Sequence, residues 1–292
     1  MIDVVPLAGE HLDALHSLYL ALTAPAPHCA LIPGWTRFAA GLRAPRPGTR
    51  LFVAWEDGAA HGFAAAGPLS PEQNGGAPRH GITALFFGDD AAGVALLGAC
   101  EQALRADGAR VIEAFPASRG LCPVTSFNGG WDGLPDRLPA IARLLTRQGY
   151  LPIHRELHMT LDLALFQPHP SAMPPGIALA CQDDVLSARA ETQEAGTCEY
   201  GTLAALADAP EAAQVGYIWW LGVSESFRRR GVARALLTAA LADLQARGCR
   251  ACWLTTAADN WTAQALYLAL GFEVVDDSAS FRKTRGRAPR RG

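Results

Sequence analysis

The sequence predicts an α/β chain, α+β in detail, made of two similar domains, and three observations predict it. A single βαβα unit occurs twice, because Gly93-Val94-Ala95 and Gly231-Val232-Ala233 each follow an apolar strand and open an Ala/Leu-rich helix. Both helices return through a glycine, Gly108 or Gly248, into a further strand, and each half then ends a helix in a Gly-aromatic pair, Gly149-Tyr150 or Gly271-Phe272. Repetition at similar spacing decides architecture before any local motif does. The length of 292 residues also gives two domains at roughly 150 residues each. Finally, Gln167–Gly176 holds four prolines and one glycine, the composition of a linker. The domains therefore read as 1–166 and 177–285, joined by 167–176 and followed by a basic tail at 286–292.

The elements follow in order. Leu12, Leu15, Leu18/Tyr19 and Leu22 recur at helical spacing over Glu10–Thr23, and Pro25 and Pro27 close that helix. Thr49–Trp55 and Ala60–Ala66 flank the turn Glu56-Asp57-Gly58 as a hairpin. Pro68–Arg79 is a loop by composition. Gly81–Phe87 and Val111–Phe115 read as buried strands around the helix Ala92–Asp107, which stops where Gly108 supplies a left-handed cap. The polar insertion 117–136 precedes a helix over Arg137–Gln148, and Tyr150–Phe166 is extended. In the second half, Val185–Thr192, Ala195–Leu203, Tyr217–Val223 and Ala251–Thr256 are strands. Val232–Arg247 and Trp261–Leu270 are helices, and Phe272–Val275 with Ala279–Lys283 form a closing hairpin.

Composition narrows the function. Half of the residues are apolar and 18% are charged, which is ordinary for a globular protein. Residues 282–292 carry six basic side chains and no acid, so leaving those six out takes the net charge from −3 to −9. An acidic body with a short basic end speaks against a nucleic-acid binder. Seven scattered cysteines are an odd number, and Cys249–Cys252 opens a buried strand without a second C-x-x-C pair, so no zinc site is expected there. His154, Glu156 and His158 share one side of an extended segment, a stripe that alternation alone produces on strands; no metal is expected. The N-terminus has no signal-peptide pattern, and no uncharged apolar window reaches the roughly 18 residues of a membrane span. A cytoplasmic, reduced protein is expected.

The chemistry concentrates in Leu221–Leu237, LGVSESFRRRGVARALL. A strand enters a short loop with Arg228, Arg229, Arg230 and Gly231, and a helix starts at once. Such a helix end presents unpaired N–H groups and about half a positive charge, which suits a phosphate or pyrophosphate. It is neither a Walker loop nor G-x-G-x-x-G.

Arg228-Arg229-Arg230-Gly231-Val232-Ala233 resembles the R/Q-x-x-G-x-G/A signature of the GNAT N-acetyltransferase superfamily. Asn260-Trp261-Thr262-Ala263-Gln264-Ala265-Leu266-Tyr267 with Gly271-Phe272 is similar to that family's second motif. The resemblance implies two GNAT-like domains, each a mixed, mostly antiparallel twisted sheet flanked by helices, with acetyl-CoA as cofactor and a small-molecule or peptide amine as acceptor. It implies that Leu221 and Val223 pair with the pantetheine arm and that the amides of Arg228, Arg229, Arg230, Gly231, Val232, Ala233 and Arg234 hold the pyrophosphate. Asn260 is expected to contact the arm, and Tyr267 to sit at the thioester sulfur and protonate the leaving thiolate. The strand YIWWLGV holds no acid, so the catalytic base is sought at Glu199 or Tyr200, with Glu225 in the loop behind them. Of the adjacent tryptophans, one of Trp219 and Trp220 is expected in the core and the other at the acceptor pocket.

The first half carries Asp89 and Asp90 where the second carries arginines, and Leu145 where the second has Tyr267. It reads as a copy that kept the fold and lost the cofactor. In the second copy, the linker runs so directly into the first hairpin that the family's first strand and following two helices have no room. A mycothiol-synthase-like acetyltransferase and a non-catalytic acyl-CoA-binding or interaction protein are the alternatives, and a homodimer is compatible with either.

Overall fold

The computed structural model describes residues 2–24, 35–69, 79–116, 133–168, 173–205 and 210–284. Most of the Pro68–Arg79 loop and of the 117–136 insertion, the linker centre and the basic tail lie outside them. The described chain forms two compact units, residues 1–156 with 276–292 and residues 157–275. These differ from the segments 1–166 and 177–285, because both chain crossings fall inside strands rather than in the proline-rich stretch.

In the first unit the strand order is β1 (Asp3–Pro6), β2 (Arg50–Glu56), β3 (Ala59–Pro68), β4 (His80–Phe87), β5 (Val111–Ala114), with the C-terminal strand β13 (Glu273–Thr284) beside β5. The short β6 (Leu134–Pro135) also pairs with β13. β13 is one continuous strand, where a hairpin was expected. Asp276 and Asp277 resemble a turn, but Asp276 is paired with Arg137 and Asp277 with Arg155, so the strand passes through them. Pairing of Phe281 with Ala114 and Thr284 with Val111 makes the chain's last strand part of the first domain. Arg282 reaches the buried Glu113 at 2.9 Å and Lys283 reaches Glu101 at 2.7 Å. Helices α1 (Leu12–Thr23) and α2 (Trp35–Arg43) cover one face through Tyr19 and Phe38, whose rings meet Phe63 and Phe86 of the sheet. Helix α3 (Asp90–Ala106) packs on the other face, and α4 (Pro139–Arg147) packs against it.

The second unit has the order β7 (Leu151–Asp162, from residue 157 on), β12 (Ala251–Ala257), β11 (Val215–Val223), β10 (Gln193–Thr202), β9 (Val185–Ala190), β8 (Ala178–Gln182). The expected absence of a first strand is corrected by β8, which pairs antiparallel with β9 as β1 pairs with β2. Asp183 and Asp184, both at positive φ, join them in a two-residue turn, so only the helices corresponding to α1 and α2 are missing. Helix α5 (Val232–Ala246) buries Val232, Leu236, Leu237, Ala240, Leu241 and Leu244 at helical spacing against one face of the sheet. Gly216 lies under it so closely that a Cβ would stand 2.6 Å from Leu244. Helix α6 (Trp261–Leu268) follows β12.

Matching caps carry the repeat into the structure. Ala109 N donates to Leu104 O and Cys249 N to Leu244 O, each at 3.0 Å, after Gly108 and Gly248. Tyr150 N to Leu145 O at 3.0 Å and Phe272 N to Tyr267 O at 3.1 Å do the same after Gly149 and Gly271. Counted back from these caps, Asp89 and Asp90 correspond to Arg229 and Arg230, and Gly93 corresponds to Ala233. The Gly93–Gly231 pairing read from sequence is therefore displaced by two residues. The two glycines do different work: Gly93 lets Phe87 and Leu144 pack against α3, whereas Gly231 sits at φ +90 with open space around it.

Asp89 caps α3, accepting from Ala92 N at 2.9 Å and lying 3.1 Å from His61 Nδ1. The Ala92 amide first, then His61, holds its carboxyl below the ordinary value of 3.8. Its contribution is present above that ordinary value and fades as pH falls through the lowered one. Asp89→Ala is expected to cost the first unit about 1 kcal/mol near neutral pH. In denaturant titrations the difference from wild type should shrink below pH 4, about the unfolded aspartate value.

Candidate active site

The site is built where β11 leaves the sheet. Its parallel pairing with β12 runs over Val215–Tyr217 against Ala251–Trp253. Beyond that, β11 continues to Val223 and β12 to Ala257 without pairing to each other, which leaves an open backbone edge that includes Leu221 and Val223. On its other side β11 stays paired with β10 up to Gly196–Val223.

At the end of β11 the loop turns on itself. Arg228 is drawn back, its Nε donating to Val223 O at 3.1 Å, and the Arg230 guanidinium lies 5.5 Å from the centre of the Phe227 ring. Arg229 adopts φ +61 and Gly231 φ +90, so two left-handed residues aim the chain into α5. No side chain caps that helix, in contrast to α3 with Asp89. The first-turn residues Val232, Ala233 and Arg234 follow, with Val232 buried and Arg234 exposed. In the first unit the corresponding Asp90 pairs with Arg147 at 2.7 Å. One helix start is thus sealed by carboxylate, and the other presents amides amid arginines.

Asn260 caps α6, its Oδ1 accepting from Ala263 N at 3.3 Å. Tyr267, the last residue but one of that helix, is buried on the α5 side of the sheet beside Phe272, ring centres 5.8 Å apart. Burial pushes its phenol well above the ordinary tyrosine range, so it carries its proton at neutral pH.

Glu199 and Tyr200 part company. Tyr200 faces α5, donating to Asp243 Oδ2 at 2.8 Å with Arg247 over its ring, which takes it out of consideration as a base. Glu199, half-buried, points to the opposite face directly across from Trp220. Glu225 is exposed in the loop. A bulge between Glu199 and Tyr200 leaves Trp219 as the extra residue of β11, so Trp219 and Trp220 both lie on the face away from α5. Neither tryptophan enters the core, contrary to expectation, because the bulge cancels the alternation that would have separated them. Sequence reasoning missed the bulge; two consecutive tryptophans in a strand were its only trace.

The other marked residues resolve simply. Cys249 and Cys252 are free and buried, and burial raises both thiols, Cys252 most. His154 Nε2 lies 2.5 Å from Glu156 Oε1. A groove of about 1190 Å³ in the second unit shares only Arg234 with the expected site; the end of β7 with the segment after it to Gln167, Thr238, Arg250 and the residues just after α6 line the rest. No helix among the described residues is long and apolar enough to cross a membrane.

Residues 146–272 match the acetyltransferase (GNAT) family profile. Over that stretch the chain is similar to the GNAT family. Its tandem architecture is shared with solved structures that show the fold. A tandem GNAT protein from the clavulanic acid biosynthesis pathway aligns with TM-score 0.71 and 19% identity over 99% of this chain and all of that one. A GCN5-related N-acetyltransferase from Sphaerobacter thermophilus aligns with TM-score 0.66 and 18% identity over 97% and 95%. In sequence, a ribosomal protein bS18-alanine N-acetyltransferase from Haemophilus ducreyi is 42% identical over 55 residues, 19% of this chain and 38% of that protein. The chain thus matches under two fifths of that curated relative's length. The GNAT profile takes in the arginine loop, α5 and the whole Tyr267–Phe272 cap, while the first half keeps the GNAT fold with acids at its helix start.

Proposed function

We propose that the second unit binds acetyl-CoA and transfers its acetyl group to the primary amine of a small molecule or peptide by direct attack. The observation that carries this is the uncapped, arginine-flanked start of α5 beside an unpaired edge of β11. The fit is chemical: amides without a side-chain cap suit a diphosphate, and an open strand edge suits the amides of a pantetheine arm. Acetyl-CoA, when bound, supplies an activated acyl carbon and a thiolate leaving group.

The remaining work falls to the protein. The amides of Arg228–Arg234 and the exposed Arg229 guanidinium hold the diphosphate, and the β11 amides polarise the thioester carbonyl. Glu199 takes a proton from the acceptor ammonium, freeing the nitrogen lone pair to bond to the acyl carbon while the carbon–sulfur bond breaks. Tyr267 gives its hydroxyl proton to the departing sulfur; the acylated nitrogen sheds its second proton, which restores the phenol, and Glu199 passes the first proton to solvent. Acid and base lie on opposite faces of the sheet, and the slot between β11 and β12 passes from one to the other. The first unit, with Asp89 already on its helix start, serves as a fold without cofactor. A reducing compartment suits the five free cysteines of the described residues.

Calorimetric titration of acetyl-CoA tests the reading. One site per chain is expected, lost in Arg229→Glu by on the order of a hundredfold in affinity and unchanged in Asp90→Arg. No binding by wild type, or binding that survives Arg229→Glu, overturns it. Binding without turnover on any amine, an alanine-initiated peptide included, would select the acyl-CoA-binding alternative.

A further inference from the structure

The face of the second sheet turned away from α5 differs from its counterpart in the first unit at every position that matters. Equivalent registers align Ala65 with Glu199, Thr83 with Trp219, Ala84 with Trp220 and Phe86 with Gly222. In the first unit that face is sealed: Ala65 and Ala84 are fully buried, and Phe63 and Phe86 pack under Tyr19 of α1. In the second unit the two covering helices are replaced by the Asp183-Asp184 turn, and Trp220 is 49% exposed.

The side chains left there are arranged. The Trp220 indole lies over Gly222, where a Cβ would meet its Nε1 at 2.7 Å. The Trp219 indole turns the other way, its Nε1 3.2 Å from where a Cβ of Gly201 would stand, and its ring is 4.5 Å from that of Tyr217. Gly222 and Gly201 belong to the strand rows on either side of the Glu199–Trp220 row. Two indoles therefore bracket one carboxylate, and the two glycines provide the room they occupy. Indole faces attract cations and stack on flat rings, and the carboxylate adds the matching charge.

We infer that this face is the acceptor platform and that it selects a cationic primary amine carried on a flat aromatic ring. The inference rests on the acetyltransferase reading, deepening it to a substrate class. The ring stacks on Trp220, and the ammonium lies against Trp219 and Glu199, which receives its proton.

Thiol release from acetyl-CoA is measured with phenethylamine and with hexylamine as acceptors. Wild type is expected to favour phenethylamine about tenfold in kcat/KM, the scale of one aromatic pair. Trp220→Ala should erase that preference through KM, with acetyl-CoA affinity unchanged, and Trp220→Phe should retain most of it. Equal rates on the two amines, a preference that survives Trp220→Ala, or faster acetylation of an alanine-initiated peptide than of either amine would overturn the platform. Failure of wild type to bind acetyl-CoA would instead overturn the transferase reading. Tryptophan fluorescence then decides the platform alone: quenching by phenethylamine well below the concentration at which hexylamine acts supports it, and equal or absent quenching sinks it.

Discussion

Tyr267→Phe will lower kcat by about 10²–10⁴-fold, the usual contribution of a placed general acid, while leaving the affinity for acetyl-CoA where it was. The split follows from position. The phenol sits on the last residue but one of α6, buried next to Phe272 and far along the chain from the arginine loop proposed to hold the diphosphate. Loss of one hydroxyl keeps the ring contact at 5.8 Å, so stability should change little. Single-turnover thiol release, compared with calorimetric acetyl-CoA binding, reads both halves. An unchanged kcat would return the proton to solvent and leave Tyr267 as packing. A parallel loss of binding would make it a cofactor contact instead.

Deleting residues 276–284 will unfold the first unit and spare α5 of the second. The deleted strand pairs with β5 and β6, buries Phe281 in the first core, and supplies the Ser280 Oγ that donates to Phe115 O at 2.7 Å. It also removes Arg282 from Glu113 and Lys283 from Glu101, leaving the buried Glu113 with Arg79. Breaking such pairs from one side is costly because a desolvated carboxylate loses compensation. Phe281→Ala gives a graded version, expected to cost about 3–5 kcal/mol from the lost burial and the cavity. Hydrogen exchange resolves the units: amides of α3 and β4 should lose protection while those of α5 keep it. Equal loss in α5 would mean that the two units share one cooperative transition.

Much of this was legible in the residues. The repeat, the Gly-terminated helices and the arginine loop are written in spacing and glycine chemistry, which are local. The strand β8 was not legible, because Asp183-Asp184 lacks the Asn-Gly signature of a tight hairpin and Ala178–Gln182 is exposed throughout. The fate of the last strand was hidden as well: Asp276-Asp277 looks like a turn until Arg137 and Arg155 are found beside it. At the site, Tyr267 and the helix start came from motif, whereas the shared face of Trp219 and Trp220 depends on a bulge that only pairing reveals. Tyr200 was a candidate until Asp243, forty-three residues away, claimed its hydroxyl.

The last strand also sets an order of events during synthesis. The first domain's sheet lacks an edge partner for β5 until residues 276–284 have left the ribosome, by which time α5 and the sheet around it have already been made. The half of the protein translated first is therefore the half completed last. A nascent chain must carry one edge of β5 unpaired through most of translation, as a template for any passing strand. Only a chain translated through Thr284 gains a finished first domain, which makes that domain's integrity a record of how far synthesis ran.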